Sequence, residues 1–195
     1  MYYNHFSLPV DWSVLVHDLN CMSETIVINK GDIILLNNSS LVYINLQGIV
    51  AISKRYLSNK FITLYLLTSA NCIFFIDNKV NYYLEGKALT SSKLLVVTFK
   101  DFINLRTHYQ NILGFELNSL MVKLNYIELF ANMLYHKNIR NRLINFFLIM
   151  CKNFGLIYSS GIMIDFSISH LDIATIIGAS RIMVTRILNE LKKNL

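Results

Sequence analysis

The stretch Ser169-His-Leu-Asp-Ile-Ala-Thr-Ile-Ile-Gly-Ala-Ser-Arg-Ile-Met-Val-Thr-Arg-Ile-Leu-Asn-Glu-Leu-Lys-Lys193 decides how this chain is read. Ser169 followed by Asp172 makes an N-terminal capping pair, whose side-chain oxygens can satisfy the N–H groups that a first helical turn leaves free. Ile173, Ile176 and Ile177 then give a first helix one apolar face. Ala174 stands where a second helix crosses closely, since a larger side chain would hold the two apart. Gly178 follows four residues later, at a turn where positive φ costs glycine little. Ser180 can cap a second helix whose inward face is Val184, Ile187, Leu188 and Leu191. A small residue, then glycine, then a β-branched apolar residue at these intervals is the spacing of a helix-turn-helix.

The outward face of the second helix sets the chemistry. Arg181 and Arg186, with Ile182 and Thr185 between them, fall opposite the apolar stripe and near the helix N-terminus. In a major groove, arginine can donate two hydrogen bonds to the O6 and N7 of guanine, and Ile182 can meet a thymine methyl. Lys192, Lys193 and Ser180 are placed for phosphate contacts, which position a protein without reading sequence. An ordinary helical hairpin with solvated arginines shares this spacing, so the wider charge pattern matters.

The chain has 195 residues and a net charge of +6. Residues 1–136 hold 10 Lys+Arg against 9 Asp+Glu, whereas residues 137–195 hold 8 against 3. Charge gathered at one end points to a polyanionic partner there, nucleic acid first and anionic lipid second; the helix-turn-helix makes that nucleic acid double-stranded DNA. Attachment to a membrane surface needs a free apolar face, and Val184, Ile187 and Leu191 are already committed to the hairpin core.

Upstream of the motif, Leu113, Leu117, Leu120, Leu124, Ile127, Ala131 and Leu134 are spaced alternately by four and three residues. Such a seam meets a partner helix or packs on the chain's own β-domain; its narrowness favours a parallel homodimer. After a polar break at Lys137–Asn141, Arg142–Phe154 reads as an amphipathic helix with Leu143, Phe146, Phe147 and Met150 inward. Gly155–Gly161 reads as a loop and Ile162–Phe166 as a short strand.

The first hundred residues read as β-structure, with strands at Thr25–Ile28, Ile33–Leu36, Leu41–Leu46, Ile49–Ser53, Phe61–Leu67, Cys72–Ile76 and Leu94–Phe99. Short strands at this spacing, parted by turn residues such as Lys30-Gly31-Asp32 and Gln47-Gly48, predict a small antiparallel barrel or roll. The expected organisation is a β-roll over residues 1–110, a long helix over 111–136 and a helix-turn-helix domain over 137–195.

Composition excludes several classes. Hydrophobic residues reach 54% and charged ones only 15%, yet no apolar run approaches the roughly 20 residues of a spanning helix. Met1–Asp18 lacks the basic start and apolar core of a signal peptide, so an intracellular protein is expected. Cys21, Cys72 and Cys151 lie far apart with no CxxC pair, and are expected as reduced, mostly buried thiols. Asn37-Asn38-Ser39 fits a glycosylation sequon, which has no meaning without secretion. No P-loop, nucleophile elbow, dinucleotide fingerprint or metal-ligand cluster occurs, and His5, His17, His108, His136 and His170 are scattered. No catalytic or metal site is therefore expected. There are 25 Ile and 21 Asn against 6 Ala and one Pro, a bias that suits an AT-rich genome.

The segment Ile168–Leu188 resembles the helix-turn-helix of the Crp/Fnr regulators and is most similar to the NtcA (global nitrogen regulator) group and its plastid-encoded relatives. Crp has Glu where Ile182 stands, whereas the NtcA group has an aliphatic residue. The resemblance runs from about Leu117 to the end, through His136, Arg142-Leu143, Phe146-Phe147-Leu148-Ile149 and Cys151-Lys-Asn-Phe-Gly155. In the β-region it rests on Lys30-Gly31-Asp32, Tyr43–Gly48 and Asn78-Lys79.

This resemblance implies an α+β chain: an antiparallel β-roll of the cyclic-nucleotide-binding type, a dimerisation helix and a helix-turn-helix domain. It implies a homodimer on a pseudo-palindrome with GTA-type half-sites, RNA polymerase as a further partner, and a plastid location or, failing that, a bacterial cytoplasm. It also implies 2-oxoglutarate as effector, with Lys123 and Glu128 at the two helix positions, Lys replacing Arg. The family's Phe-Gly segment has no counterpart around Cys72–Ile76, and its β-roll arginine aligns with Tyr82, so weak binding is expected. No Arg-Ser phosphate cassette for a cyclic nucleotide is present. The family continues into a β-hairpin wing where this sequence stops at Leu195, so a domain lacking most of the wing is expected. The competing reading is a protein-interaction or sensory module whose DNA binding has decayed.

Overall fold

Leu94-Leu-Val-Val97 and Val42-Tyr-Ile44 are unbroken apolar runs, and such a run makes a stable strand only where both faces of its sheet are covered. The computed structural model describes residues 23–36, 38–58, 60–69, 71–74, 81–108, 112–159 and 161–193, and it places both runs in such a sheet. The expectations for Met1–Asp18, Cys21, Asn37 and Asn78-Lys79, and for the strand end at Phe75-Ile76, lie outside the described residues.

Among the described residues, eight strands precede the helices: β1 (Glu24–Ile28), β2 (Ile33–Leu35), β3 (Leu41–Gln47), β4 (Val50–Tyr56), β5 (Phe61–Leu67), β6 (Asn71–Phe74), β7 (Tyr82–Ala88) and β8 (Ser92–Thr98). They form two antiparallel sheets, ordered β1-β8-β3-β6 and β2-β7-β4-β5. Tyr43, Leu94 and Val96 point into one core. Val42, Ile44, Leu95 and Val97 point into a second, closed by Phe102, Ile112 and Phe115. Those three come from α1 (Phe99–His108) and α2 (Ile112–Tyr135), which cover the outer face of the first sheet.

Strand β7 has no counterpart in the sequence reading. Its Glu85-Gly86-Lys87 breaks the apolar pattern because its partners lie far away in the chain. Glu85 is buried and takes both forks of the Arg55 guanidinium from β4, at 2.8 and 2.9 Å. Lys87 reaches the C-terminal part of the chain.

Helix α2 carries two stripes. Ile112, Phe115, Ser119, Tyr126, Phe130 and Met133 are buried within this chain. The predicted seam lies mostly elsewhere: Leu113, Leu117, Leu120, Leu124 and Ile127 stay between 41% and 66% exposed. Packing of those five on the chain's own β-roll is thereby overturned, while Leu134 at the end of the seam does join the core.

The chain then turns at His136–Asn138 into α3 (Ile139–Phe154), capped by the Asn138 side chain on the Arg140 N–H. Leu143, Phe146 and Met150 are buried as expected, and Phe147 packs against the same core. The reading of Gly155–Gly161 as a loop needs correction. It contains β9 (Gly155–Tyr158), which pairs with β10 (Gly161–Ile164) in a hairpin. Leu156-Ile-Tyr158 is too short to show alternation, and Gly155 itself ends the helix and starts the strand. A Cβ there would lie 2.3 Å from the Cys151 carbonyl oxygen and 2.4 Å from Ile162. Gly155→Ala should therefore destabilise the protein by about 1–3 kcal/mol, the usual cost of overpacking. Urea denaturation should show a lower midpoint at an unchanged slope.

The C-terminal pair is α4 (His170–Ile177) and α5 (Arg181–Lys193). Among the described residues, no helix is long and apolar enough to cross a membrane.

Candidate nucleic-acid interface

Local chemistry builds the helical pair as its sequence implies. Ser169 accepts the Asp172 N–H at 3.1 Å and donates its hydroxyl to the Asp172 carboxylate at 2.5 Å. Gly178 ends α4 in the left-handed region (φ 64°, ψ 47°), donating its N–H back to the Ala174 and Thr175 carbonyls. Ser180 accepts the Met183 N–H at 3.3 Å, the cap expected for the second helix. Between the helices, Ile173, Ala174, Ile176, Ile177, Val184 and Ile187 are buried, with Leu188 and Leu191 packed against them.

Locking one face of α5 leaves the other to solvent. Ser180, Arg181, Ile182, Arg186, Lys192 and Lys193 are exposed, Ile182 at 82%. At 3.6 residues per turn, Arg181, Ile182, Thr185, Arg186, Lys192 and Lys193 span an arc of about 140°. Four cations and one solvated aliphatic side chain thus share one accessible surface. Among the described residues, Arg186 is held by Met183 Sδ, at 3.0 Å, and by Glu190, at 3.8 Å. An exposed pair of that kind contributes little, so the guanidinium is available to a stronger acceptor.

Thr185 is half-buried, and its hydroxyl meets His170 Nδ1 at 2.9 Å. The histidine read as scattered therefore braces the first helix against the second. Arg142 is the other residue that sequence reasoning missed. It donates from Nε to the His136 carbonyl at 2.6 Å, and from Nη1 to the Ile177 and Gly178 carbonyls at 3.4 Å. A cation at the carbonyl end of α4 suits the helix dipole, and it joins the turn at 136–138 to the turn between α4 and α5. One of the basic residues that made the C-terminal end look DNA-facing is therefore structural.

The structure does not bring the two effector candidates together within one chain. Lys123 and Glu128 are five residues apart on α2, about 140° around the helix. Lys123 is half-buried, and its burial lowers its pKa. Close by, the Cys72 N–H donates to Ser119 Oγ at 3.0 Å, and burial pushes the Cys72 thiol up to about 11. Glu128 is exposed. Tyr82 meets Tyr56 in a tilted ring contact with centroids 5.8 Å apart, under the Lys54 ammonium at 4.4 Å.

Comparison with known proteins fits this geometry. A Crp-like helix-turn-helix domain matches residues 141–194, which span α4 and α5. The HTH-type transcriptional regulator designated ycf28, from Porphyra purpurea, is 30% identical over 186 residues, 92% of this chain and 76% of that protein. The chain belongs to the Crp/Fnr family of transcription regulators. The global nitrogen regulator of Nostoc sp. is 31% identical to this family member over 157 residues, covering 78% of this chain and 70% of its own length. Solved Crp/Fnr structures share the fold at lower identity. A CooA variant from Carboxydothermus hydrogenoformans superposes with TM-score 0.73 and 21% identity, over 98% of this chain and 87% of its own. The global regulator CLP of Xanthomonas campestris gives 0.70 and 16%, over 94% and 93%. The α+β fold expected from the sequence, with its cyclic-nucleotide-binding type of β-roll, is the one observed.

Proposed function

We propose that this chain is a sequence-specific DNA-binding regulator that works as a homodimer on a pseudo-palindrome with GTA-type half-sites. The observation that carries the reading is the free face of α5. Its arginines and Ile182 are exposed while the opposite face is fixed by the packing of α4. Arg181 and Arg186 are assigned to guanine edges, Ile182 and Thr185 to thymine methyls, and Ser180, Lys192 and Lys193 to phosphates. The second copy is assigned to the exposed leucine seam of α2, so the division at 1–110, 111–136 and 137–195 separates β-roll, pairing helix and reading domain. RNA polymerase is the further partner of a regulator so placed. The AT-biased composition and the relative from Porphyra purpurea favour a plastid.

The residues present do not fit 2-oxoglutarate well. Where the resemblance sets an arginine, Tyr82 is engaged with Tyr56 and Lys54, and a dicarboxylate loses a bidentate partner there. We assign Lys123 and Glu128 no strong effector binding, and expect DNA affinity to change little when 2-oxoglutarate is added.

The test is binding to a GTA…TAC palindrome against a scrambled duplex across a salt series. Preference for the palindrome at every salt concentration supports the reading. Equal, steeply salt-dependent binding to both duplexes would leave only the electrostatic contribution and favour a decayed interaction module.

A further inference from the structure

The helix-turn-helix is joined to the β-roll by more than the turn at 136–138. Lys87 on β7 donates to Asp172 Oδ1 on α4 at 2.5 Å, and Asp172 is buried. Lys30, between β1 and β2, donates to the carbonyl oxygen and to Oγ of Ser167, both at 2.7 Å. Ser167 lies just ahead of the α4 cap, so both lysines grip the start of the reading motif. Helix α4 also lies against β5.

The sheet face that receives α4 mixes polar groups with the buried apolar Ala51 and Leu66. Lys87 and Glu85 alternate onto the same side of β7, opposite Ala51 and Ser53 of β4. Ser53 in turn bonds Thr63 of β5 at 3.1 Å, and Ser53, Thr63 and Glu85 are all buried. The β-roll and the helix-turn-helix share one apolar core, and apolar packing alone is non-directional, so these polar contacts add the direction that it lacks. Meanwhile Arg181, Ile182 and Arg186 stay exposed, so the docked arrangement holds the motif without covering its reading face.

We propose that Lys87–Asp172 and Lys30–Ser167 form a clamp that fixes the direction of α5 relative to the α2 seam, and so sets the half-site spacing the dimer accepts. The proposal rests on the DNA-binding reading above. Two recognition helices must enter successive major grooves about 34 Å apart. A motif free to swivel about residues 136–138 presents them at many separations. Fixing α4 on each β-roll removes that freedom before DNA arrives, which is preorganisation. Asp172 suits the task, because its carboxylate also caps α4 through Ser169. Burial alone would raise its pKa, but the Lys87 and Ser169 hydrogen bonds outweigh burial and hold it below the usual range.

The experiment compares the full chain with the Lys30→Met/Lys87→Met double variant, which keeps the apolar stems and removes both ammonium groups. Duplexes carry one half-site, the palindrome, or palindromes with spacing changed by a base pair or two. Spin labels on β8 and on Asn189 of α5 report the distance between β-roll and reading helix. The expected result is half-site binding within about twofold of the parent, palindrome binding weaker by about tenfold, and a flatter response to spacing. The label distances should broaden, and Lys87→Arg should restore the parent behaviour. An unchanged spacing profile with an unchanged distance distribution overturns the clamp. If the parent itself shows no palindrome preference, the DNA-binding reading fails, and the distance distribution still decides whether the clamp holds the motif.

Discussion

Replacing Leu117 and Leu124 by lysine will make the protein a monomer and abolish its high-affinity binding to the palindrome. Both side chains are exposed in the single chain, one on each of two successive heptads. Covering a leucine contributes about 1.5–3 kcal/mol, and a two-fold interface covers each of them twice. Lysines at the same positions would face their own copies, so attraction becomes repulsion. The substitutions should leave the fold intact, because Phe115, Tyr126 and Phe130 occupy the other stripe of α2. Sedimentation velocity at micromolar concentration reads the outcome, with circular dichroism as the check on folding. A variant that sediments as the parent does would remove the seam from the interface.

Arg186→Ala should erase most of the preference for the palindrome while sparing general affinity for DNA. A bidentate arginine–guanine pair discriminates by about 1–3 kcal/mol, and a dimer makes it twice. The loss is therefore about 2–6 kcal/mol, a palindrome affinity at least about 30-fold lower. Lys192→Ala should behave differently, weakening palindrome and scrambled duplex alike and lowering the salt slope by about one for each phosphate no longer neutralised. Fluorescence anisotropy on both duplexes separates the two patterns. Equal weakening on both duplexes in the Arg186 variant would reassign that arginine to the phosphate backbone.

Much of this was legible because it is local. The cap at Ser169, the glycine turn and the inward stripe of α5 are set by residues within a few positions of one another, and each stands where the spacing put it. The exposed arc carrying Arg181, Ile182 and Arg186 follows directly from that stripe. What escaped depends on partners remote in the chain. Strand β7 is polar because Arg55 and Asp172 complete it from elsewhere, and no window around Tyr82–Ala88 contains them. Arg142 looked like one more basic surface residue until the fold set three carbonyls around it. Helix α2 was half read: the leucine repeat was visible, whereas the second stripe, although Ile112, Ser119, Tyr126 and Met133 also recur every seven residues, is masked by its mixture of serine, aromatic and aliphatic side chains. Lys123 and Glu128 came from family resemblance alone, and helical geometry directs them apart.

The two stripes of α2 also bear on how copies of this protein would interfere with one another in a cell. In the proposed dimer the second stripe is filled within each chain, so subunits could trade partners without refolding that helix. A copy with a disabled reading helix would then enlist sound copies into half-functional pairs. At equal expression, random pairing leaves only one pair in four with both helices intact, so the defect would be dominant over the normal gene.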